Sequence, residues 1–263
     1  MQHKFLYLFL LLSFQALSIE SYFCKPELEL IPVQAGGRVK PLGVHAQETF
    51  KFISGNSQFE TLSATQMFCL KSLEAFGMMG PVIELKIEHP DVKKLFTTFP
   101  YQLQIDNQEI TQKLQNEYQA QTENNAYKKE LAKVLERIYQ YEQMTSGHSW
   151  TLPLMTEEKL QWISFKDFIT PDKFNNEINN EAVFNLIWDT KLEYDQKENN
   201  KYQLEHIYFK HNPFVYSIFL VLISLLFLTV LKNKIIGLIF FVLTILTETY
   251  GMILRIQISG RAP

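Results

Sequence analysis

Two apolar runs close the sequence, residues 214–231 and 235–254, with only Lys232, Asn233 and Lys234 between them. A helix needs about 20 apolar residues to cross a hydrocarbon core about 30 Å thick. In water such runs would need a large surrounding core, and the rest of the chain is rich in Gln, Asn, Glu and Lys. The spacing therefore predicts a helical hairpin of two transmembrane helices, 213–231 and 235–255, joined by a turn at 232–234. Pro213 suits the first helical position, where a missing N–H costs little. Lys232 and Lys234 put the turn in the cytoplasm by the positive-inside rule. Both flanks, including a tail at 256–263, are then expected on the outer face.

The N-terminus agrees with that orientation. Lys4 precedes an apolar run, 5–14, broken only by Ser13, and the small residues Ala16 and Ser18 follow. This is the pattern of a secretory signal, expected at 1–18. Residues 19–212 then form an exported domain within the usual size range. A net charge of -3 gives no reason to expect nucleic-acid binding, which needs concentrated Lys and Arg.

The fold expected for 19–212 is mixed and mainly α. Residues 30–33 read as extended and Gly36-Gly37 as a turn. Residues 45–53 have helical spacing and stop at Ser54-Gly55. Ser63 is an N-cap for a helix reaching Phe76 and stopped by Gly77. A strand is expected at 81–87 and a short helix at 91–96. Residues 108–141 read as one long polar helix or a helical pair, with Leu131, Leu135, Ile138 and Glu142 as its narrow stripe. Helices at 181–194 and 202–210 flank a polar connector, 191–201. Trp150 and Trp162 are read as core.

Cys24 and Cys69 are too few for a disulfide framework. Outside the cytoplasm they could pair, or they are two unrelated thiols, one near the terminus and one inside a helix. Neither CxxC nor CxxCH is present, and no HExxH, phosphate loop or GxSxG motif occurs. No catalytic residue is expected. Among six histidines, only His206 and His211 come near metal-ligand spacing. Five residues turn a helix through about 500°, so the two diverge and no metal site is expected. Glu248 is the one charged residue inside the second run. It is either an interfacial carboxylate or an intramembrane functional group, and Arg255 could reach back towards it.

Three stretches together resemble a family. The first is 31–42, with Gly36, Gly37, Arg38, Lys40 and Pro41, followed by Glu48 and 52–55. The second is 205–214, ending in Asn212-Pro213-Phe214. The third is 250–255 with Ser259, Gly260, Arg261, Ala262 and Pro263 after it. The combination resembles the CcsA/ResC-like proteins of the system II cytochrome c biogenesis pathway, in the form with an exported domain before the membrane core. The resemblance implies a place in the bacterial inner membrane with the domain on the periplasmic side. It also implies haem as cofactor, and as partners a membrane protein carrying a Trp-rich haem loop, a ResB-like protein and apocytochrome c.

That Trp-rich loop is absent here, so the chain is expected to be the N-terminal part or subunit of a split or truncated synthetase. Arg38, His211, Glu248, Arg255 and Arg261 are the expected haem or partner contacts. The alternative is a membrane-tethered exported binding or sensor domain with no haem role.

Overall fold

The computed structural model describes residues 23–59, 61–156, 159–169, 180–198 and 200–259. The expected signal at 1–18 and the motif residues Gly260, Arg261 and Pro263 lie outside them.

Gly36 and Gly37 have φ of 61° and 76°, the left-handed pair that a two-residue β-turn demands. They join β1 (Pro32–Ala35) to β2 (Arg38–Pro41), an antiparallel pair with Pro32 opposite Pro41. Helix α1 (Leu42–Ile53) follows directly and buries Leu42, Ala46, Phe50 and Ile53. It begins three residues before the expected start, with Pro41 as the extended residue ahead of it. At α2 (Ala64–Ser72) the Gln66 N–H donates to Ser63 Oγ at 3.2 Å and the Ser63 N–H to Gln66 Oε1 at 3.0 Å. Two otherwise orphaned donors are satisfied by this reciprocal cap. The helix tightens into a 3-10 turn, Leu73–Phe76, and ends at Gly77 with φ 83°.

Cys24 and Cys69 form a disulfide, so the open question about the thiols is answered. The bridge ties the start of the described chain to α2.

The expected strand at 81–87 is reduced to β3 (Ile83–Glu84), paired antiparallel with β4 (Gln102–Leu103). Beyond it the backbone bonds irregularly: Leu85 N–H donates to Tyr101 O at 2.8 Å and Lys86 N–H to Ile53 O at 2.9 Å. Between the two strands, α3 covers Pro90–Lys93. The polar region is a pair, α4 (Gln108–Ala120) and α5 (Ala126–Thr145). On α5 the buried stripe is Leu131, Val134, Ile138 and Tyr141. Leu131 and Ile138 of the expected stripe are buried, but Leu135 sits at the edge and Glu142 is only half-buried, their places taken by Val134 and Tyr141.

A β-hairpin that sequence spacing did not reveal follows, β5 (Thr151–Met155) and β6 (Leu160–Ser164), with α6 (Phe165–Phe168) after it. Trp150 is fully buried and stacks on Phe165 at 4.2 Å, and Phe23 lies 6.0 Å from the same ring. Trp150 is thus core. Trp162 is half-buried beside Tyr194 at 5.7 Å.

Four helices complete the chain: α7 (Asn180–Lys197), α8 (Tyr202–His211), α9 (Pro213–Thr229) and α10 (Lys234–Ser259). The run from α8 into α9 and the whole of α10 are long and apolar enough to cross a membrane. α9 and α10 pack on small residues seven apart, Ser217 and Ser224 against Gly237, Thr244 and Gly251. Ser224 Oγ donates to Gly237 O at 2.8 Å. A Cβ at Gly237 would stand 2.5 Å from Leu228 Cγ. Small residues that admit close backbones are the usual means of pairing helices where lipid replaces water. The outer faces leave Phe219, Leu222 and Leu246 uncovered, which fits a membrane hairpin and would be unusual for a surface in water.

His45, on α1, sits against the ring of Phe68, with Nε2 3.0 Å from Ser149 O. Burial, assisted by the charge of Lys40, lowers its pKa from 6.5 to about 4. The unfolded chain therefore takes up the proton first as pH falls. The resulting stability is complete above pH 6.5 and is lost on the way down to about 4. That loss amounts to about 3 kcal/mol. Urea titrations of the detergent-solubilised chain at both ends of the window should show it, and His45→Gln should remove most of the difference.

Candidate functional site

Period-2 alternation puts Arg38 and Lys40 on one face of β2. Glu48, projecting from α1, meets both: Lys40 Nζ lies 2.6 Å from its Oε2, and the Arg38 guanidinium 3.9 Å from its Oε1. From the other side comes Glu205 on α8, whose Oε1 lies 2.7 Å from Arg38. Glu205 is buried, and burial holds its carboxyl above the usual range against the opposing pull of Arg38. The pair is one-sided in exposure, with the Arg38 side chain 45% open and that of Glu205 4%. The Arg38 guanidinium is thus held by carboxylates while nearly half of the side chain stays open to solvent.

Asn212 then adopts the left-handed conformation, φ 40°, which closes α8 and lets Pro213 open α9. Asparagine tolerates this geometry better than most residues. The bend carries Phe214 under Tyr208, with ring centroids 6.3 Å apart. The guanidinium of Arg255 on α10 lies over Phe214, 6.0 Å from the ring centroid. Among the described residues Arg255 takes part in none of the ion pairs.

These pieces enclose a cleft of about 970 Å³ where the domain meets the helical hairpin. Arg38, Glu205, Tyr208, Phe214, Met252 and Arg255 are among its lining. The volume lies at the upper end of the range for small-molecule sites, about 300–1,000 Å³. The walls are largely aromatic and aliphatic. Two arginines stand at the rim, one already neutralised by carboxylates and one not. The arrangement can hold an amphipathic anion, with its apolar body against Phe214 and Met252 and its charge on Arg255.

Of the sequence-predicted residues, Arg38 and Arg255 meet in this cleft. Lys40 is buried and held by Glu48. Gly36, Gly37 and Pro41 shape the β-hairpin without lining the cleft. His211 is exposed at the end of α8 and does not line it, while His206 turns away to Glu29 at 3.6 Å. Glu248 is exposed two turns below Arg255. Arg261, with Gly260 and Pro263, lies outside the described residues. Among the described residues no three His, Cys, Asp or Glu side chains gather as a metal site.

Sequence reasoning did not assign Glu205 or the ring of Tyr208 to the site. The available signal was an acid on the amphipathic helix feeding an apolar span, which needs a cation from elsewhere in the fold. No protein-family model matches the chain, and no curated protein matches it either.

Proposed function

We propose that this chain is a component of c-type cytochrome biogenesis, the N-terminal part or subunit of a haem-handling membrane assembly. One observation carries the reading. The three stretches that resemble the system II proteins lie far apart in sequence, yet each contributes to the same cleft: Arg38 from the first, Glu205, Tyr208, Phe209 and Phe214 from the second, Met252 and Arg255 from the third. A site built jointly from those stretches is what a shared ligand would require.

Haem is a flat apolar ring with two carboxylates. The cleft fits the ring edge and a propionate, because Arg255 offers a guanidinium fork with no acid on it. It does not fit the iron, since neither histidine nor cysteine is among the lining residues. Haem bound there would bring the chemistry of the iron, and this chain's own residues would bind and orient it. The iron ligands would come from the membrane partner bearing the Trp-rich loop. A ResB-like protein and apocytochrome c are the further partners. His211 and Glu248, which do not line the cleft, are candidates for contact with these partners, and Arg261 is a third.

The Cys24–Cys69 disulfide supports a domain on the periplasmic side of the bacterial inner membrane, where such bonds persist. Lys232 and Lys234 in the cytoplasmic turn agree with that placement.

Deleting the chain should abolish covalent haem on c-type cytochromes, read by haem staining of membranes. Normal staining would refute the reading. Arg255→Gln in the intact assembly should lower assembled cytochrome about tenfold or more, the loss of one charge-assisted hydrogen bond. Arg255→Lys should fall between, because an ammonium cannot bind a carboxylate as a fork.

A further inference from the structure

The stripe of α10 that borders the cleft continues down into the apolar run. Glu248, Met252, Arg255 and Ser259 fall at i, i+4, i+7 and i+11 on one helical face. The last three line the cleft, and Glu248 lies beneath them. At 1.5 Å per residue it stands about 10 Å below Arg255 and about 21 Å above Lys234. A hydrocarbon core about 30 Å thick that begins near Lys234 therefore encloses it.

Glu248 is not part of the seam with α9, which uses Gly237, Thr244 and Gly251. It is exposed, and among the described residues no ion pair includes it. A carboxylate at that depth is costly unless neighbouring protein supplies a cation or donor. The chain's own hairpin supplies no cation: α9 carries no charged residue, and Arg255, two turns away on α10, lies over Phe214 instead of reaching back to Glu248.

A second copy would not supply one either. Two copies inserted in the same orientation put Glu248 opposite Glu248, and like charges there repel. The copy's Arg255 would stand level with this chain's Arg255, about 10 Å too high. Charge complementarity therefore selects a different chain.

We infer that a transmembrane helix of another membrane protein, carrying a lysine, arginine or histidine, packs along Ile245, Glu248 and Met252 and pairs with Glu248. The inference rests on the membrane reading of the hairpin and names the face and chemistry of the proposed partner. It does not depend on haem.

The test is photo-crosslinking of the full chain in its native membrane, with a photoactivatable phenylalanine analogue at Ile245 or Met252, or at Leu246 on the opposite side as control. The expected result is one adduct with another membrane protein from the first two positions and not from Leu246. Glu248→Leu, checked for insertion by alkaline extraction, should weaken it about fivefold or more. The captured helix must carry a basic residue. Exchanging the two charges, Glu248→Lys with an acid in the partner, must restore the adduct. Five outcomes overturn the inference: no adduct, an adduct of two copies of this chain, lipid adducts alone, a captured helix without a basic residue, or an adduct unchanged by Glu248→Leu. Cytochrome c levels in the deletion strain are read separately. If they are normal, the haem reading falls while this interface stands.

Discussion

Arg137→Ala is expected to destabilise the domain by about 3–5 kcal/mol, the range for removing one partner of a buried ion pair. The side chains of Arg137 and Glu130 are 4% and 5% exposed and 3.1 Å apart. The guanidinium does more than neutralise an acid. Its Nε donates to Phe52 O at 3.0 Å and its Nη1 to Lys86 O at 2.8 Å. Phe52 lies in the last turn of α1, where carbonyls have no partner within the helix. Glu130 in turn accepts from the Glu88 N–H at 2.8 Å. One fork therefore fastens α5 to the end of α1 and to the irregular segment after β3. Alanine would leave Glu130 buried without its cation, and that is the larger part of the cost. Arg137→Lys should recover only part, since an ammonium cannot reach the Phe52 and Lys86 carbonyls together with Glu130. Urea midpoints of the solubilised chain, read from the fluorescence of buried Trp150, measure the series. A loss under about 1 kcal/mol would put the pair in the class of surface salt bridges and contradict its burial.

What was legible in the sequence was chemistry that acts locally. Ser63 announced its cap, Gly77 its stop, Gly36 and Gly37 their turn, and Pro213 the start of a span. Each depends on residues within one turn of chain. The strand expected at 81–87 failed for the opposite reason: its partners are Tyr101 and Ile53, which no local pattern nominates. Half of the α5 stripe, Leu131 and Ile138, was read correctly; the other half was not, because Leu135 and Glu142 satisfy helical spacing as well as Val134 and Tyr141 do. The β5–β6 hairpin was hidden by Pro153 in the middle of the first strand, a residue that argues against a central strand and is tolerated in a two-stranded ribbon. The cleft was half legible. Arg38 and Arg255 were nominated as residues of the resembling stretches, but their meeting required the bend at Asn212. Glu205 was not nominated, because a carboxylate becomes informative only once the cation that neutralises it is known.

Cys69→Ser should cost about 4 kcal/mol, the chain-entropy value for opening a loop of this span. The cysteines are 45 residues apart. Both are buried, and Phe23, next to Cys24, packs on Phe165 and Trp150. Without the bridge, that aromatic contact must hold the start of the described chain against the domain. The loss belongs to the pair, so Cys24→Ser should match Cys69→Ser. The double variant should be no worse than either, a non-additivity that separates loss of the bond from loss of two separate packing contacts. The same bond bears on location. Chain taken from its native membrane should show no thiol reactive to an alkylating probe, even when denatured, until a reductant is added. Chain made in the cytoplasm without residues 1–18 should show both thiols and the full deficit in stability, because that compartment keeps thiols reduced. If the native chain instead labels at both cysteines on denaturation alone, the domain has not been in an oxidising compartment. The orientation argued from Lys232 and Lys234 would then have to be reversed.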